Sequence, residues 1–205
     1  RRVVESFVQY AAPHAGNAFP LDINAAVRRS VQILSSQKSD EVEIRLELTD
    51  TVPRASIDPE KLRQVLMNLV QNAIQAMNGQ GRVTITTSHR RAPRSAWVTS
   101  PAGAGSGRLQ PEDLEVVEIS VADTGPGISQ KVLKNLFVPF FTTKEQGTGL
   151  GLAISQSIVQ NAGGSIQVQS QPGAGSKFTI TLPAFDGVLA TPVPSSIAPS
   201  AAAGE

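Results

Sequence analysis

Ser165-Ile166-Gln167-Val168-Gln169-Ser170 and Lys177-Phe178-Thr179-Ile180-Thr181-Leu182 stand on either side of Pro172-Gly173-Ala174-Gly175. Each run alternates apolar with polar residues, the period of a half-buried strand, and the proline and glycines between them read as a tight turn. Upstream, Leu150 to Ala162 carries Leu152, Ile154, Ile158 and Val159 at helical spacing. Farther back, strands at Arg82–Ser88 and Leu114–Ala122 bracket Pro93–Asp113, a stretch rich in Gly, Ala, Ser and Pro that reads as an exposed insertion in a hairpin. Val42, Ile44, Leu46 and Leu48 alternate with Glu43, Arg45, Glu47 and Thr49, a further strand with one side in water. Strands joined by tight turns and interleaved with helices predict an α+β fold, a mixed sheet covered by helices on one face.

The helices announce themselves by their caps. Asp22 is placed to cap a helix carrying Ala26, Val27, Val31, Ile33 and Leu34. Asp58-Pro59-Glu60 combines a capping side chain, proline at the first helical position and an acid at the positive end of the helix dipole. That helix runs to about Met77, where Asn78-Gly79 stops it, and Leu62, Val65, Leu66, Leu69, Val70, Ala73, Ile74 and Met77 form one apolar arc facing the core. A short helix is expected near Gln130–Leu136. Val3–Tyr10 has helical spacing and ends at Pro13, whereas Ala184 to Glu205 is Ala/Pro/Ser-rich with almost no charge and reads as a disordered tail. The expected organisation is therefore a helix end and linker over 1–20, a domain over 21–183 and a tail over 184–205.

Composition removes several functions. The 18 Lys and Arg residues nearly cancel the 17 Asp and Glu, leaving a net charge of +1 and no broad field for nucleic acid or an anionic membrane. With no cysteine there is no thiolate nucleophile, disulfide or Cys-ligated metal. The apolar stretches fall far short of the ~20 residues that span a bilayer, and Arg1-Arg2-Val3-Val4-Glu5 has no apolar signal core. A cytoplasmic protein is the expectation.

Chemistry is concentrated in four stretches. Asn68 and Asn72 lie one turn apart on a flank of the apolar arc, with Gln64 and Gln75 nearby. An amide oxygen is a neutral hard ligand of the kind Mg²⁺ takes once or twice while keeping water and phosphate ligands, and Asn72 is nearest the buried edge. Asp123-Thr124-Gly125-Pro126-Gly127 follows a strand; its carboxylate can accept from an exocyclic amino group while the glycines let backbone approach a ring. Phe137-Val138-Pro139-Phe140-Phe141-Thr142-Thr143-Lys144 is an aromatic loop ending in a cation suited to anionic oxygens. Gly147-Thr148-Gly149-Leu150-Gly151 then opens a helix, where free N–H groups and the dipole favour phosphate. A Rossmann reading fails because 142–146 is no strand, and no P-loop pattern occurs.

Together, Asn68-Leu69-x-x-Asn72-Ala73, Asp123-x-Gly125-x-Gly127, the Phe137–Lys144 loop and Gly147-Thr148-Gly149-Leu150-Gly151-Leu152 resemble the four ordered boxes of sensor histidine kinase ATP-binding domains, in the gyrase, Hsp90, histidine kinase and MutL superfamily. The resemblance covers about Leu21 to Pro183 and implies a Bergerat-type two-layer α/β sandwich with ATP between the helices and beneath a lid. It implies Asn72 for Mg²⁺ and phosphate, Asp123 for the adenine amino group, Gly125 and Gly127 for the adenine pocket, and Gly149 and Gly151 for the lid against the phosphates. Gln75, Ile128, Phe140, Thr143, Lys144, Gly147, Thr148 and Leu150 are implied around the nucleotide, and Ser176 is implied to assist Asp123 through water. The short lid between Phe141 and Gly147 is similar to that of NtrB- and FixL-type kinases.

Asn68 stands where hydrolysing relatives carry a glutamate, and an amide has no useful basicity at neutral pH, so water activation is not expected. The resemblance implies transfer of the γ-phosphoryl group to a histidine, with Asn68 and Asn72 in the catalytic set and a response regulator receiver domain downstream. The histidine-plus-acid acceptor box is absent: His14 follows Pro13, and His89 precedes Arg90-Arg91. The acceptor histidine is therefore expected on a separate dimerisation domain, of which Arg1–Ala12 would be the last helical turns. The competing expectation is a noncatalytic ATP-sensing module of the same fold; a hydrolytic ATPase or serine kinase of the superfamily is a third.

Overall fold

The structure, a computed structural model, describes residues 20–35, 41–93, 113–144 and 147–185. The helix end expected at Val3–Tyr10, the interior of the insertion and the tail beyond Phe185 lie outside the described residues. In chain order the elements are β1 (Pro20–Leu21), α1 (Ile23–Ser35), β2 (Val42–Leu48), β3 (Ala55–Ser56), α2 (Pro59–Ala76), β4 (Gly81–Pro93), β5 (Asp113–Asp123), α3 (Gln130–Leu133), α4 (Gly151–Asn161), β6 (Ser165–Ser170) and β7 (Ser176–Pro183).

Both expected caps form. Asp22 Oδ1 accepts the Ala25 N–H at 2.9 Å, and Asp58 Oδ1 accepts those of Glu60 and Lys61 at 2.8 and 3.0 Å, satisfying donors that the first turn leaves orphaned. The five-stranded sheet has the order β2-β4-β5-β7-β6, with β2 parallel to β4 and every other pair antiparallel. Its register sorts side chains by face. Leu46, Ile85, Val121, Phe178 and Val168 align in one row across all five strands, while the adjoining row is Glu47, Thr86, Ser120, Thr179 and Gln167. A slip of one residue in any strand would exchange these faces, so burial of the apolar row fixes the register.

The helices cover the apolar face in the order of the strands beneath them. α1 packs on β2, α2 on β4 and β5, and α4 on β6, with α2 also touching both of the other helices. Leu62, Val65, Leu66, Leu69 and Val70 of α2 are all at most 1% exposed. Burying each such side chain contributes roughly 1.5–3 kcal/mol. The expected mixed sheet with helices on one face is therefore the observed architecture.

Local differences have simple causes. β4 and β5 run beyond Ser88 and Leu114 and stay paired as far as Pro93 and Asp113. The apolar alternation stops near His89, but the backbone ladder does not need it, and Arg90 and Glu118 meet across the strands at 2.7 Å. The short helix ends at Leu133 rather than Leu136 and continues as turns. Ala184 and Phe185, read from sequence as tail, donate their N–H groups to Glu115 and Arg54 carbonyls at 2.8 and 2.7 Å. The two-residue pair of β1 with β3 leaves no pattern long enough to read.

Candidate functional site

β5 delivers Asp123 to the end of the sheet, beside Ser176 at the start of β7. Its Oδ1 accepts the Gly125 N–H at 2.9 Å and the Ser176 N–H at 3.3 Å. Burial pushes the Asp123 carboxyl above its usual range, and these two N–H groups partly offset that rise. The direct link from Ser176 is thus its backbone, because its hydroxyl is paired with Ser170 Oγ at 3.0 Å. Ser170 Oγ also receives the Ile128 N–H and meets the Gly175 carbonyl, both at 2.8 Å, so the loop after Asp123 is stitched to the β6–β7 turn. The Gly173 N–H closes on the Pro126 carbonyl at 2.7 Å beside Gly127. An open cleft of about 840 Å³ lies here, lined by Asp123, Gln130, Leu133, Lys134, Val168 and Ser176 among others.

A second group gathers along α2. Asn72 Oδ1 and Gln75 Oε1 both accept from Lys144 Nζ, at 2.8 and 2.6 Å. Asn72 Nδ2 lies 3.3 Å from Asn68 Oδ1, and Asn68 Nδ2 donates to Ser155 Oγ of α4 at 2.9 Å. Partial burial lowers the Lys144 pKa from its ordinary value. Gly151 opens α4 directly against the Asn68 amide; a Cβ at that position would overlap Asn68 Oδ1, so glycine is what lets the helix start approach the amides. The loop from Phe140 returns to the same place, its N–H donating to the Gly149 carbonyl at 3.0 Å. Phe140 holds a φ of 67°, unusual for a non-glycine residue, and is 57% exposed.

α2 joins the two groups. Gly125 lies against Ala76 and Met77 at its C-terminal end, while Asn68, near its middle, meets Gly151, a separation of about 12 Å at 1.5 Å per residue. The arrangement offers a half-buried carboxylate for an amino-bearing ring and, within about two helical turns along α2, amide oxygens, an ammonium group and a glycine-opened helix for an anionic chain. A family model described as histidine kinase-, DNA gyrase B- and HSP90-like ATPase matches residues 57–186. The chain belongs to that family.

Within the family it is an ATP-binding catalytic domain of the sensor histidine kinase type. The chain is 39% identical over 183 residues to the sensor histidine kinase ZraS of Escherichia coli K12, covering 89% of this chain and 34% of that protein. It is 32% identical to sporulation kinase E of Bacillus subtilis, covering 88% of this chain and 22% of that protein. The chain thus spans about a third or less of these curated relatives' length. Among solved structures it resembles full-length ShkA in complex with AMPPNP, with a TM-score of 0.69 at 26% identity over 89% of this chain and 35% of that one. It also resembles a nucleotide-free catalytic domain of the histidine kinase ThkA, with a TM-score of 0.61 at 28% identity over 80% of this chain and 93% of that one.

In this histidine kinase-type domain Asp123, Gly125, Gly127, Ile128 and Ser176 lie in the first group and Asn68, Asn72, Gln75, Phe140, Lys144, Gly149 and Gly151 in the second, with Leu150 buried at the α4 start and Thr143 and Thr148 exposed. Glu145 and Gln146 lie outside the described residues. Sequence reasoning missed Ser155, Ser170, Gly175 and Met77. Gly175, at φ 79°, lies so close that a Cβ would overlap the Asp123 carbonyl, and the Met77 sulfur accepts the Thr124 hydroxyl at 3.4 Å beside Gly81. His89 is remote from the site, its Nε2 lying 3.9 Å from Glu115. It borders a separate cleft of about 740 Å³ that contains none of the expected residues. No helix among the described residues is long and apolar enough to cross a membrane.

Proposed function

We propose that this domain binds Mg²⁺-ATP along α2 and donates the γ-phosphoryl group to a histidine of a dimerisation domain. The observation that carries this reading is the Lys144 ammonium seated between Asn72 Oδ1 and Gln75 Oε1, next to the glycine-opened α4. A cation already occupies the place where phosphate charge would be neutralised. Among the described residues no three His, Cys, Asp or Glu side chains gather to hold a metal ion by themselves. The donor set therefore suits a hard cation that draws most of its ligands from phosphate and water, with Asn72 as its protein ligand.

Asp123 accepts the adenine amino group, and Gly125, Gly127 and Ile128 shape the pocket around the ring. Phe140, Thr143, Lys144 and the Gly147–Gly151 stretch enclose the triphosphate, with Lys144 exchanging amide oxygens for phosphate oxygens. When bound, Mg²⁺ supplies charge neutralisation on the phosphates. The bond from the γ-phosphorus to the β–γ bridging oxygen breaks and a bond to an imidazole nitrogen forms, while ADP leaves. Asn68 supplies no base: its amide is engaged by Asn72 and Ser155. Hydrolysis is accordingly not the favoured outcome.

The short segment from Phe141 to Gly147 supports the NtrB- and FixL-like subgroup, and a response regulator receiver domain would take the phosphoryl group from the acceptor histidine. The test is calorimetric titration with ATP, with and without Mg²⁺, followed by phosphorylation of a supplied histidine-containing dimerisation domain. Wild type should bind ATP more tightly with Mg²⁺, Asn72→Ala should lose that dependence, and label should reach the acceptor. Tight binding with no transfer to any cognate acceptor would favour the noncatalytic sensing module.

A further inference from the structure

Ser155 belongs to none of the four stretches that point to nucleotide, yet it is 1% exposed on α4 and receives the Asn68 amide. The direction of this chain of hydrogen bonds is fixed from its far end. An ammonium group only donates, so Asn72 and Gln75 must present oxygens to Lys144. Asn72 then turns its Nδ2 toward Asn68, Asn68 answers with its Oδ1, and the remaining Asn68 Nδ2 must find an acceptor. Ser155 Oγ is that acceptor. Gly151, one turn earlier on the same helix, lacks the Cβ that would overlap Asn68 Oδ1 and so leaves the amide room for this orientation.

A metal ion in place of the ammonium makes the same demand on Asn72, because it too binds oxygen and not NH₂. We propose that Ser155 is a positioning residue that, through Asn68, holds the Asn72 amide with its oxygen turned toward the metal and phosphates. The proposal rests on the reading of Asn72 as the Mg²⁺ ligand. Its mechanical part, the relay from Ser155 to Asn72, exists without any ligand and can be tested without one.

Two measurements separate the parts. In the free, metal-free chain, ¹⁵N spectra of the side-chain amides should show Ser155→Ala shifting the signals of both Asn68 and Asn72, while Ser157→Ala on the same helix shifts neither. In calorimetry, Ser155→Ala should lose about three- to tenfold of the Mg²⁺-dependent gain in ATP affinity, the size expected for one hydrogen bond, with adenosine affinity unchanged. Ser155→Cys fills the space but accepts weakly, so it should follow alanine. It also carries the test if the alanine variant fails to fold. A cysteine variant equal to wild type would show that Ser155 only fills space, and unmoved Asn72 signals in either variant would overturn the relay. A wild-type chain with no Mg²⁺-dependent gain would instead remove the metal reading, while the amide spectra would still decide the relay.

Discussion

The two ends of the site along α2 are built by different means. At the Asp123 end the work is done by backbone: N–H groups of Gly125 and Ser176 hold the carboxylate, and turns on both sides are locked by carbonyls and a serine pair. At the Asn68–Asn72 end nearly every contact is between side chains, and one partner, Lys144, comes from the loop that precedes the glycine stretch. A backbone-built site keeps one shape and selects by fit. A side-chain site can exchange partners, as an ammonium group must do if phosphates are to arrive. Burial shifts the charged group at each end toward neutrality, upward for Asp123 and downward for Lys144, so both ends are partly dry before any ligand binds.

The sharpest way to break the contrast is Asp123→Asn. A hydrogen bond to a charged acceptor is worth roughly 1.5–3 kcal/mol, so ATP affinity should fall about 10- to 100-fold. Thermal stability should not fall with it, because the substitution removes a half-buried charge whose ionisation the fold disfavours. Equal ATP binding by wild type and Asp123→Asn in calorimetry would mean that the base is not read here.

Rigidity of the backbone end can be measured with two glycines of one turn. Gly173 and Gly175 have φ values of 82° and 79°, but a Cβ at Gly173 meets nothing within 4 Å whereas one at Gly175 overlaps the Asp123 carbonyl. Gly173→Ala should cost only the left-handed strain, about 1 kcal/mol. Gly175→Ala should cost about 3 kcal/mol or more, since backbone has to move. Denaturant midpoints that fall equally for both would show that the Asp123 end is softer than its hydrogen bonds suggest.

At the other end, Lys144→Ala should weaken ATP about five- to tenfold while leaving adenosine nearly untouched, less than a full charge-assisted hydrogen bond because the exposed ammonium gives up two amide oxygens to reach phosphate. Equal losses for ATP and adenosine would remove Lys144 from the phosphate side.

What the sequence discloses follows the same division. The caps at Asp22 and Asp58, the arc from Leu62 to Met77 and the alternation in β2, β6 and β7 are local patterns, and each forms where its chemistry says it should. The glycine stretches are likewise visible because backbone approach demands a missing Cβ. Ser155 is not: one serine in an apolar helix looks like tolerated surface. Its signal exists only in combination, since Gly151 and Ser155 are four apart and so share the face that meets Asn68. The pairing of Ser170 with Ser176 across the β6–β7 turn was open to the same reading from hairpin register. The parallel partnership of β2 with β4 depends on how α2 crosses the sheet, which no window of sequence contains.

The smallest expected effect concerns pH and divides fold from ligand at one residue. Because burial raises the Asp123 pKa, the folded chain holds a proton between the ordinary carboxylate value, about 3.9, and the raised one, where the unfolded chain has lost it. Stability therefore declines as pH rises through that window and is level above it. ATP responds in the opposite sense: an adenine amino group donates to the charged carboxylate, so its affinity is full above the raised pKa and fades as pH falls through it. Mild acid should thus slightly favour the empty fold while loosening the nucleotide. Asp123→Asn should remove this carboxyl's share of both slopes, whereas Lys144→Ala, which leaves the carboxyl in place, should keep both. An acid-side loss in Asp123→Asn as large as in wild type would assign it to another group, the titrating phosphate and base of the nucleotide included, and detach the base-reading role from this strand end.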